Sequence, residues 1–453
     1  MIDLPAQLDA VAAAVPYRVV GHVESLSGGT IQAVGLPLPV GALCRIDSLG
    51  GRSTEAEVIG FQEQRTLLMP LGAAHGIARG DTVENLAVCS RLWCSEQLLG
   101  RVLDGRGRPI DGRPLVRTGC PQPLHARGAA PLQRQPIDRP LATGIAAIDA
   151  LHTCGQGQRL GIFSGPGVGK SVLLASIARH TSADVCVVAM VGERAREVHE
   201  FIDGALGAAG LARSVVIVST SDDPPLLRVR AAQVACAVAE YFRDRQRHVL
   251  LLVDSLTRLC HAQRQIGLAA HEPPATRGYP PSVFALLPQL LERAGRSGGG
   301  SITGFYTVLV EGDDFNEPIA DAVKSTTDGH LWLSRALANR GHWPAIDVLQ
   351  SISRVRDQVL DAQHLAAARR VLALLAAYQE IEDLVSIGAY VAGLNRQHDL
   401  AVTARQRILD FLKQDTSSGY TLQQTRQRLL DLCHWIDQHE QTLARPLSPA
   451  GGK

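Results

Sequence analysis

The apolar residues of this chain follow three different patterns along its length. Residues 18–92 hold short alternations of apolar and polar residues separated by glycine-rich turns, a pattern typical of a small β-barrel. Further along, to about residue 350, buried-type apolar runs alternate with helix-like segments, which predicts a parallel α/β sheet. Residues 345–445 contain no proline and place apolar residues at helical spacing, which predicts a C-terminal helical domain.

These patterns predict the domain boundaries. We expect an N-terminal segment over 1–17, a barrel over 18–92, an α/β domain over 93–355, a helical domain over 356–445 and a loose tail over 446–453. Residues 101–145 hold seven of the 24 prolines, so 93–145 is predicted to be an extended connector into the α/β domain. The first segment fits either a short amphipathic helix or a frayed terminus.

Composition limits the classes of function. The 453 residues have a formal net charge of +1 and only 4% aromatic side chains, so we expect no nucleic-acid partner. The N-terminus does not resemble a signal peptide, and no apolar run approaches the roughly 20 residues of a membrane helix. The nine cysteines are scattered and form no CxxC pair. We therefore expect reduced thiols in the cytoplasm, with neither a disulfide framework nor zinc.

One glycine-rich segment has the order of a phosphate-binding loop: an apolar strand, the loop SGPGVGKS, and a helical run. Glycines let backbone N–H groups approach a phosphate, and the helix N-terminus adds partial positive charge. The strict pattern begins with Gly where this chain has Ser164, and the alternative is a glycine-rich turn matched by chance. The residues predicted to bind a nucleotide here are Ser164, Gly165, Pro166, Gly167, Val168, Gly169, Lys170, Ser171 and Val172.

Two further apolar runs end next to acidic residues. Residues 248–253 precede Asp254, and residues 185–191 precede Gly192-Glu193. Parallel strands end at one edge of a sheet, so both carboxylates are expected beside the phosphate loop. Asp254 is the candidate to hold Mg²⁺ through a bound water, together with the Ser171 hydroxyl. Glu193 is the candidate to orient a water that attacks the γ-phosphate; the alternative is an ordinary solvated Glu at the start of a helix.

Taken together, these motifs resemble the catalytic subunits of rotary ATPases, and most closely the ATPases of bacterial type III export, both flagellar and virulence-associated. The similarity covers roughly residues 18–445. The segments that carry it are 165–171, 191–198, 252–258, 263–269, 278–284, 307–314, 344–349 and 351–355.

The resemblance implies a fold of class α/β: a RecA-like P-loop NTPase core with an N-terminal small β-barrel and a C-terminal helical domain. The residues it implies to be catalytic are Lys170, Glu193, Arg194, Asp254, Arg258 and Arg354. Arg354 matches an arginine finger, inserted into the neighbouring subunit's site, where it would neutralise charge on the transferring phosphoryl group. Trp343 matches an aromatic residue that stacks on adenine. Without the resemblance, a surface salt bridge for Arg354 and a core position for Trp343 would be the simpler interpretations.

The implied function is Mg²⁺-dependent ATP hydrolysis by a homohexameric ring that energises type III protein export, with a lean toward the flagellum. A virulence export ATPase is the nearest alternative. A proton-translocating ATP synthase subunit is another, although that enzyme divides the finger and the catalytic Glu between paired subunits. An RNA-dependent helicase with a related core is an alternative of another class, against which the near-neutral charge argues.

The implied partners are other copies of the chain, a stator-like regulatory protein at segment 1–17, export-gate proteins, cargo and chaperones. The implied location is cytoplasmic, peripheral at the inner membrane. Three positions depart from the family pattern: His271 stands where Gly is usual, Asn395 where Asp is usual, and Lys324 begins a stretch that is usually more apolar near its end.

Overall fold

The structure, a computed structural model, describes residues 18–48, 50–115, 119–310 and 317–443. The predicted segment 1–17, the predicted tail 446–453 and the end of the 307–314 motif lie outside these residues. Among the described helices, none has both the length and the apolar character needed to cross a bilayer.

The first domain is a closed barrel with the strand order β1-β2-β5-β4-β3-β6. Alternate residues point inward, so Ile31, Ala33, Cys44 and Ile46 are fully buried in one small core, as the alternating pattern predicts. The strands are β1 (Val20–Ser27), β2 (Thr30–Val34), β3 (Leu43–Asp47), β4 (Ser53–Gln62), β5 (Arg65–Pro70) and β6 (Thr82–Ala87).

The segment after the barrel contributes to two different sheets. Strand β7 (Arg91–Cys94) pairs antiparallel with β9 (Cys120–Pro123). Between them in the chain, β8 (Arg101–Asp104) pairs parallel with β14 (Ser214–Thr220) and forms one edge of the main sheet. Part of the predicted connector is therefore an integral strand of the α/β domain.

The α/β domain is built on a nine-stranded sheet. Its order is β19-β18-β12-β17-β15-β13-β14-β8, with β16 paired to β17. Only β19 and β16 run antiparallel to their neighbours. The other strands of this domain are β10 (Pro140–Leu141), β11 (Cys154–Gly155), β12 (Arg159–Ser164), β13 (Val185–Glu193), β15 (His248–Asp254), β16 (Gly295–Ser297), β17 (Gly300–Leu309), β18 (Gly329–Leu333) and β19 (Ile346–Ser353).

Two hydrophobic cores, one on each face of this sheet, explain why its strands are almost continuously apolar. All nine residues of β13 are buried. The helices that accompany the sheet are α1 (Ala146–Leu151), α2 (Lys170–His180), α3 (Ala195–His199), α4 (Gly207–Ala212), α5 (Pro225–Arg243), α6 (Leu256–Ala269), α7 (Pro281–Leu291), α8 (Pro318–Thr326), α9 (Arg335–Asn339) and α10 (Arg356–Val359).

The C-terminal region is helical, as the proline-free pattern predicts. It consists of α11 (Ala362–Ser386), α12 (Arg396–Leu412) and α13 (Leu422–Leu443). Buried side chains at helical spacing, including Ala368, Val371, Ala404 and Ile408, share one core with α1 and the sheet. The predicted fold class is thus confirmed: a barrel, a mixed α/β sheet and C-terminal helices.

Candidate active site

The glycine-rich loop lies at the carboxyl edge of the sheet, between β12 and α2. Gly167 and Gly169 have φ angles of 77° and 82°, where only glycine is free of strain. A Cβ on Gly169 would also lie 2.6 Å from the Trp343 ring. Helix α2 begins at Lys170, so its free N–H groups and positive dipole end face the space above the loop.

Two buried carboxylates meet Lys170 at this edge. The Lys170 Nζ atom lies 2.5 Å from Asp254 Oδ1 and 3.6 Å from Glu193 Oε1. Both acids are only 3% exposed, because each ends a fully buried parallel strand. Thr307 on β17 donates a 2.7 Å hydrogen bond to Asp254 Oδ1, which fixes that carboxylate. The structure therefore brings Lys170, Glu193 and Asp254 together as predicted from the sequence.

The electrostatics of Glu193 differ from those of an ordinary surface acid. Burial, a hydrogen bond with Glu197 and the charge of Asp254 raise the pKa of Glu193 to about 7, against the opposing effect of Lys170 and Arg258. The same hydrogen bond holds the pKa of Glu197 below its usual value. The pair thus favours a proton on Glu193 and a charge on Glu197. A carboxylate with a pKa near neutrality is suited to act as a general base.

The three predicted arginines occupy different places. Arg258, in the first turn of α6, lies 3.1 Å from Glu193 Oε2 and also donates to the Gly192 carbonyl. Arg194 lies 3.9 Å from Glu197, with 78% of its side chain exposed. Arg258 therefore belongs to the buried cluster, whereas Arg194 stands at its solvent side.

Arg354 lies at the opposite edge of the sheet from the phosphate loop. Leu333 of β18 is level with Ser164 at the loop and pairs with Ile346, the first residue of β19. Ser353, at the other end of β19, pairs with Gly329. Four residues of strand correspond to roughly 13 Å, so the exposed Arg354 lies at the far end of β18 and β19 from the phosphate loop of its own chain.

A pocket of about 310 Å³ adjoins the phosphate loop, and Trp343 forms part of its wall with 40% of the residue exposed. Its lining is mostly apolar, which suits a flat heterocyclic base. Four of its lining residues are predicted from the sequence: Val168, Gly169, Val172 and Trp343. The other lining residues were not predicted: Ile145, Leu333, Pro344, Ala345, Leu173, Ser176, Gln414, Asp415 and Thr416.

Three of the missed residues come from the loop after α12, far along the chain. Gln414 accepts a hydrogen bond from the Ala146 N–H and donates to the Gly144 carbonyl at 2.7 Å, and its own N–H donates to the Trp343 carbonyl. No local pattern signals such contacts, since Ala146 and Gly144 precede Gln414 by 268 and 270 residues. Glu197 was also missed, although its position four residues after Glu193 was a signal.

The unusual residues of this chain have structural explanations. His271 has a φ of 64°, in the left-handed region that favours glycine. Asn395 caps α12 by accepting hydrogen bonds from two backbone N–H groups, a role that Asp fills equally well. The Lys324 ammonium lies 5.2 Å from the centre of the Phe163 ring, a cation–π contact.

Comparison with known proteins agrees with this geometry. Residues 144–353 match the ATP synthase alpha/beta family, nucleotide-binding domain, and residues 360–431 match the type III secretion EscN ATPase C-terminal domain. The chain is 50% identical to the flagellum-specific ATP synthase of Pseudomonas aeruginosa, covering 95% of this chain and 96% of that one. It is 46% identical to the type 3 secretion system ATPase of Sinorhizobium fredii, covering 93% and 94%.

A solved structure shows the same fold. The assembled ATPase EscN of the enteropathogenic E. coli type III secretion system matches with a TM-score of 0.84 and 41% identity, over 91% of this chain and 99% of that chain. A second structure, of EscN in complex with its central stalk EscO, matches equally well.

Proposed function

Since this chain belongs to the family of flagellum-specific and type III secretion ATPases, we propose that it hydrolyses ATP at sites shared between neighbouring copies in a six-membered ring. The protein is a type III export ATPase. The observation that carries the proposal is the position of Arg354, exposed at the sheet edge opposite the Lys170–Glu193–Asp254 cluster.

Within one subunit, the phosphate loop and Lys170 hold the phosphates of ATP, and the base stacks on Trp343 in the adjoining pocket. Ser171 and Asp254, the latter through water, fit Mg²⁺ because both offer hard oxygen donors beside the loop. The described residues hold no group of three or more His, Cys, Asp or Glu that could hold a metal ion. In phosphoryl-transfer sites Mg²⁺ commonly takes one or two carboxylates and completes its shell with phosphates and water. When bound, Mg²⁺ neutralises charge on the phosphates.

The carboxylate of Glu193 accepts a proton from the attacking water. Its Oε1 atom is buried without a hydrogen-bond partner among the described residues, so it is free to accept one. Arg258 fixes the other oxygen, and Arg194 adds positive charge at the solvent side. Arg354 enters from the neighbouring copy and neutralises charge on the transferring phosphoryl group, an effect that in related chemistry is worth about 10³–10⁵ in rate.

The remaining partners are also proposals. The assembled relative and its complex with a central stalk support self-assembly around a stalk protein. A stator-like protein at segment 1–17, export-gate proteins, chaperones and cargo would place the ring at the cytoplasmic face of the inner membrane. We favour flagellar export because a flagellum-specific relative is 50% identical; virulence export is the second candidate, supported by the 46% relative.

Mixing two inactive variants tests the shared site. Arg354→Ala and Glu193→Gln should each lack ATPase activity while still binding ATP. In mixed rings, an intact Glu193 meets an intact Arg354 at roughly a quarter of the sites if copies assort at random. The mixture should therefore regain about a quarter of the wild-type activity. Arg369→Ala, which alters an exposed arginine paired with Asp357, is the matched control and should keep full activity.

Two results would contradict the proposal. A fully active Arg354→Ala protein would exclude the finger. Activity per subunit that stays constant on dilution, with no recovery on mixing, would show that each copy works alone.

A further inference from the structure

Two cysteines outside the active site face each other on neighbouring strands. Cys94, the last residue of β7, and Cys120, the first residue of β9, are directly paired in the antiparallel register. Opposed residues in such pairs have Cα atoms about 4.5 or 5.5 Å apart, and both separations lie within the range of roughly 4.4–6.8 Å that a disulfide accepts. The two side chains therefore share one face of the ribbon.

The backbone at this point is held close. A Cβ on Gly119 would lie 2.1 Å from the Cys94 carbonyl oxygen, so the chain before Cys120 passes directly against the chain at Cys94. No large backbone movement is needed to join the two sulfur atoms.

The two thiols have different environments. Cys94 is fully buried, and burial raises the pKa of its thiol to about 12. Cys120 is partly exposed, and Arg245 Nη2 lies 3.4 Å from its Sγ atom. The Arg245 guanidinium is itself fixed, because it stacks 3.6 Å from the centre of the Tyr241 ring and donates to the Tyr241 carbonyl. The guanidinium is thus held within hydrogen-bonding distance of the partly exposed Cys120 sulfur.

We propose that Cys94 and Cys120 form a reversible modification site, in which a hydroperoxide oxidises the pair to an intramolecular disulfide. The Cys120 thiolate attacks the peroxide O–O bond and becomes a sulfenic acid, and the leaving oxygen is released as water or an alcohol. The Cys94 sulfur then attacks the Cys120 sulfur, and its proton leaves with the sulfenic hydroxyl as water. Two thiols and one peroxide thus yield one disulfide, and a dithiol reverses the reaction.

This pair lies far from the ATP site. Helix α5 begins after the carboxyl end of β14 and returns to the start of β15, so Arg245, which follows it, stands at the amino edge of the sheet. The phosphate loop is at the carboxyl edge. Oxidation should therefore leave ATP hydrolysis by the wild-type protein within about twofold of its starting value, since no active-site residue moves with the ribbon.

The test is thiol counting on the full-length protein treated with hydrogen peroxide, quenched, denatured and alkylated. The wild type has nine cysteines and should retain seven free thiols, with a peptide that links Cys94 to Cys120 in the mass spectrum. Dithiothreitol should restore nine. Cys120→Ser should keep all of its eight thiols, whereas Cys94→Ser should lose one because Cys120 stops at the sulfenic acid, and neither variant should yield the linked peptide. Cys89→Ser, which alters an exposed cysteine outside the pair, should still lose two.

Arg245→Gln tests the role of the Arg245 guanidinium. It should slow disulfide formation by about tenfold at neutral pH, because the attacking Cys120 sulfur loses a charge-assisted hydrogen bond. An unchanged rate would overturn that role. Retention of nine thiols in the wild type, oxidation of Cys120 to a sulfinic acid without a link, or a disulfide between other cysteines would overturn the site.

Discussion

We expect the buried carboxylate of Glu193 to lower the free energy of unfolding of the protein. The same carboxylate is the proposed base for ATP hydrolysis. Replacing it by Gln keeps its shape and a donor toward Glu197 but removes the charge, so the variant imitates a permanently protonated Glu193. Burying an acid beside Lys170 and Asp254 is expected to lower the stability of the fold and to supply a base for the reaction. The variant should therefore gain stability and lose activity.

The magnitude follows from the pKa of Glu193, raised from 4.5 to about 7. Below pH 4.5 the acid is protonated in both the folded and the unfolded chain, and the folded state suffers no penalty. Between pH 4.5 and 7 only the unfolded chain ionises, so stability falls as pH rises, and above pH 7 the loss stays constant. This difference in pKa between the unfolded and the folded chain lowers the free energy of unfolding by at most about 3 kcal/mol.

The assay is thermal unfolding of the nucleotide-free wild type and Glu193→Gln at two pH values. At pH 8 the variant should unfold at a higher temperature, by at most about 6–12 °C for a domain of this size; near pH 5 the difference should fall to about a quarter of that. The kcat/KM of the wild type should rise with pH and level off above about 7, and the variant should lose roughly 10²–10⁴-fold of its activity.

Glu200→Gln is the matched control, because Glu200 is exposed and pairs with Arg196; its effect should stay within about 0.5 kcal/mol. A Glu193→Gln protein that is less stable than the wild type at pH 8 would refute the reasoning. It would mean that Lys170 and Arg258 stabilise the carboxylate by more than burial destabilises it.

Three further predictions concern other parts of the molecule. Trp343→Ala should weaken ATP binding by about 1–3 kcal/mol in an equilibrium titration, whereas Trp343→Phe should keep most of the affinity; equal affinity in both would place the base elsewhere. Gln414→Ala should lower the melting temperature and weaken ATP binding, because it leaves the buried Ala146 N–H without its hydrogen bond; a change in neither would show that water replaces the amide. Arg293→Ala should destabilise the protein by about 3–5 kcal/mol in denaturant unfolding, since it leaves the buried Glu240, now held by two hydrogen bonds of 2.8 and 2.6 Å, without its partner; a loss below 1 kcal/mol would mean that Glu240 becomes protonated.

Local sequence patterns predicted the features that local physics determines. Alternation gave the barrel strands, since one face of each strand is buried. The order of strand, glycine loop and Lys170 predicted the strand–loop–helix unit that the structure shows, because the loop and the helix N-terminus form from consecutive residues. Asp254 and Glu193 could be placed beside it because parallel strands end at one edge.

Long-range contacts could not be predicted in the same way. The four residues of β8, Arg-Val-Leu-Asp, include only two apolar side chains and lie in a proline-rich segment, and only pairing with β14 makes them a strand. Gln414 lines the base pocket through bonds to residues nearly 270 positions away. The raised pKa of Glu193 depends mainly on burial, which a sequence motif does not encode.

Strand β19 connects the two halves of the proposed chemistry. Trp343 lies just before the start of the strand and forms part of the pocket beside the glycine-rich loop. The exposed Arg354 follows the end of the strand, and the shared-site proposal places it against a neighbouring copy. The strand is hydrogen-bonded along β18, and paired strands move together more readily than they slide, because sliding breaks the ladder. If ATP shifts Trp343 in one subunit, the displacement is therefore carried along the strand toward the arginine that serves the next site. Under the shared-site proposal, the fold of a single chain thus supplies a mechanical route by which occupancy of one site alters catalysis at its neighbour.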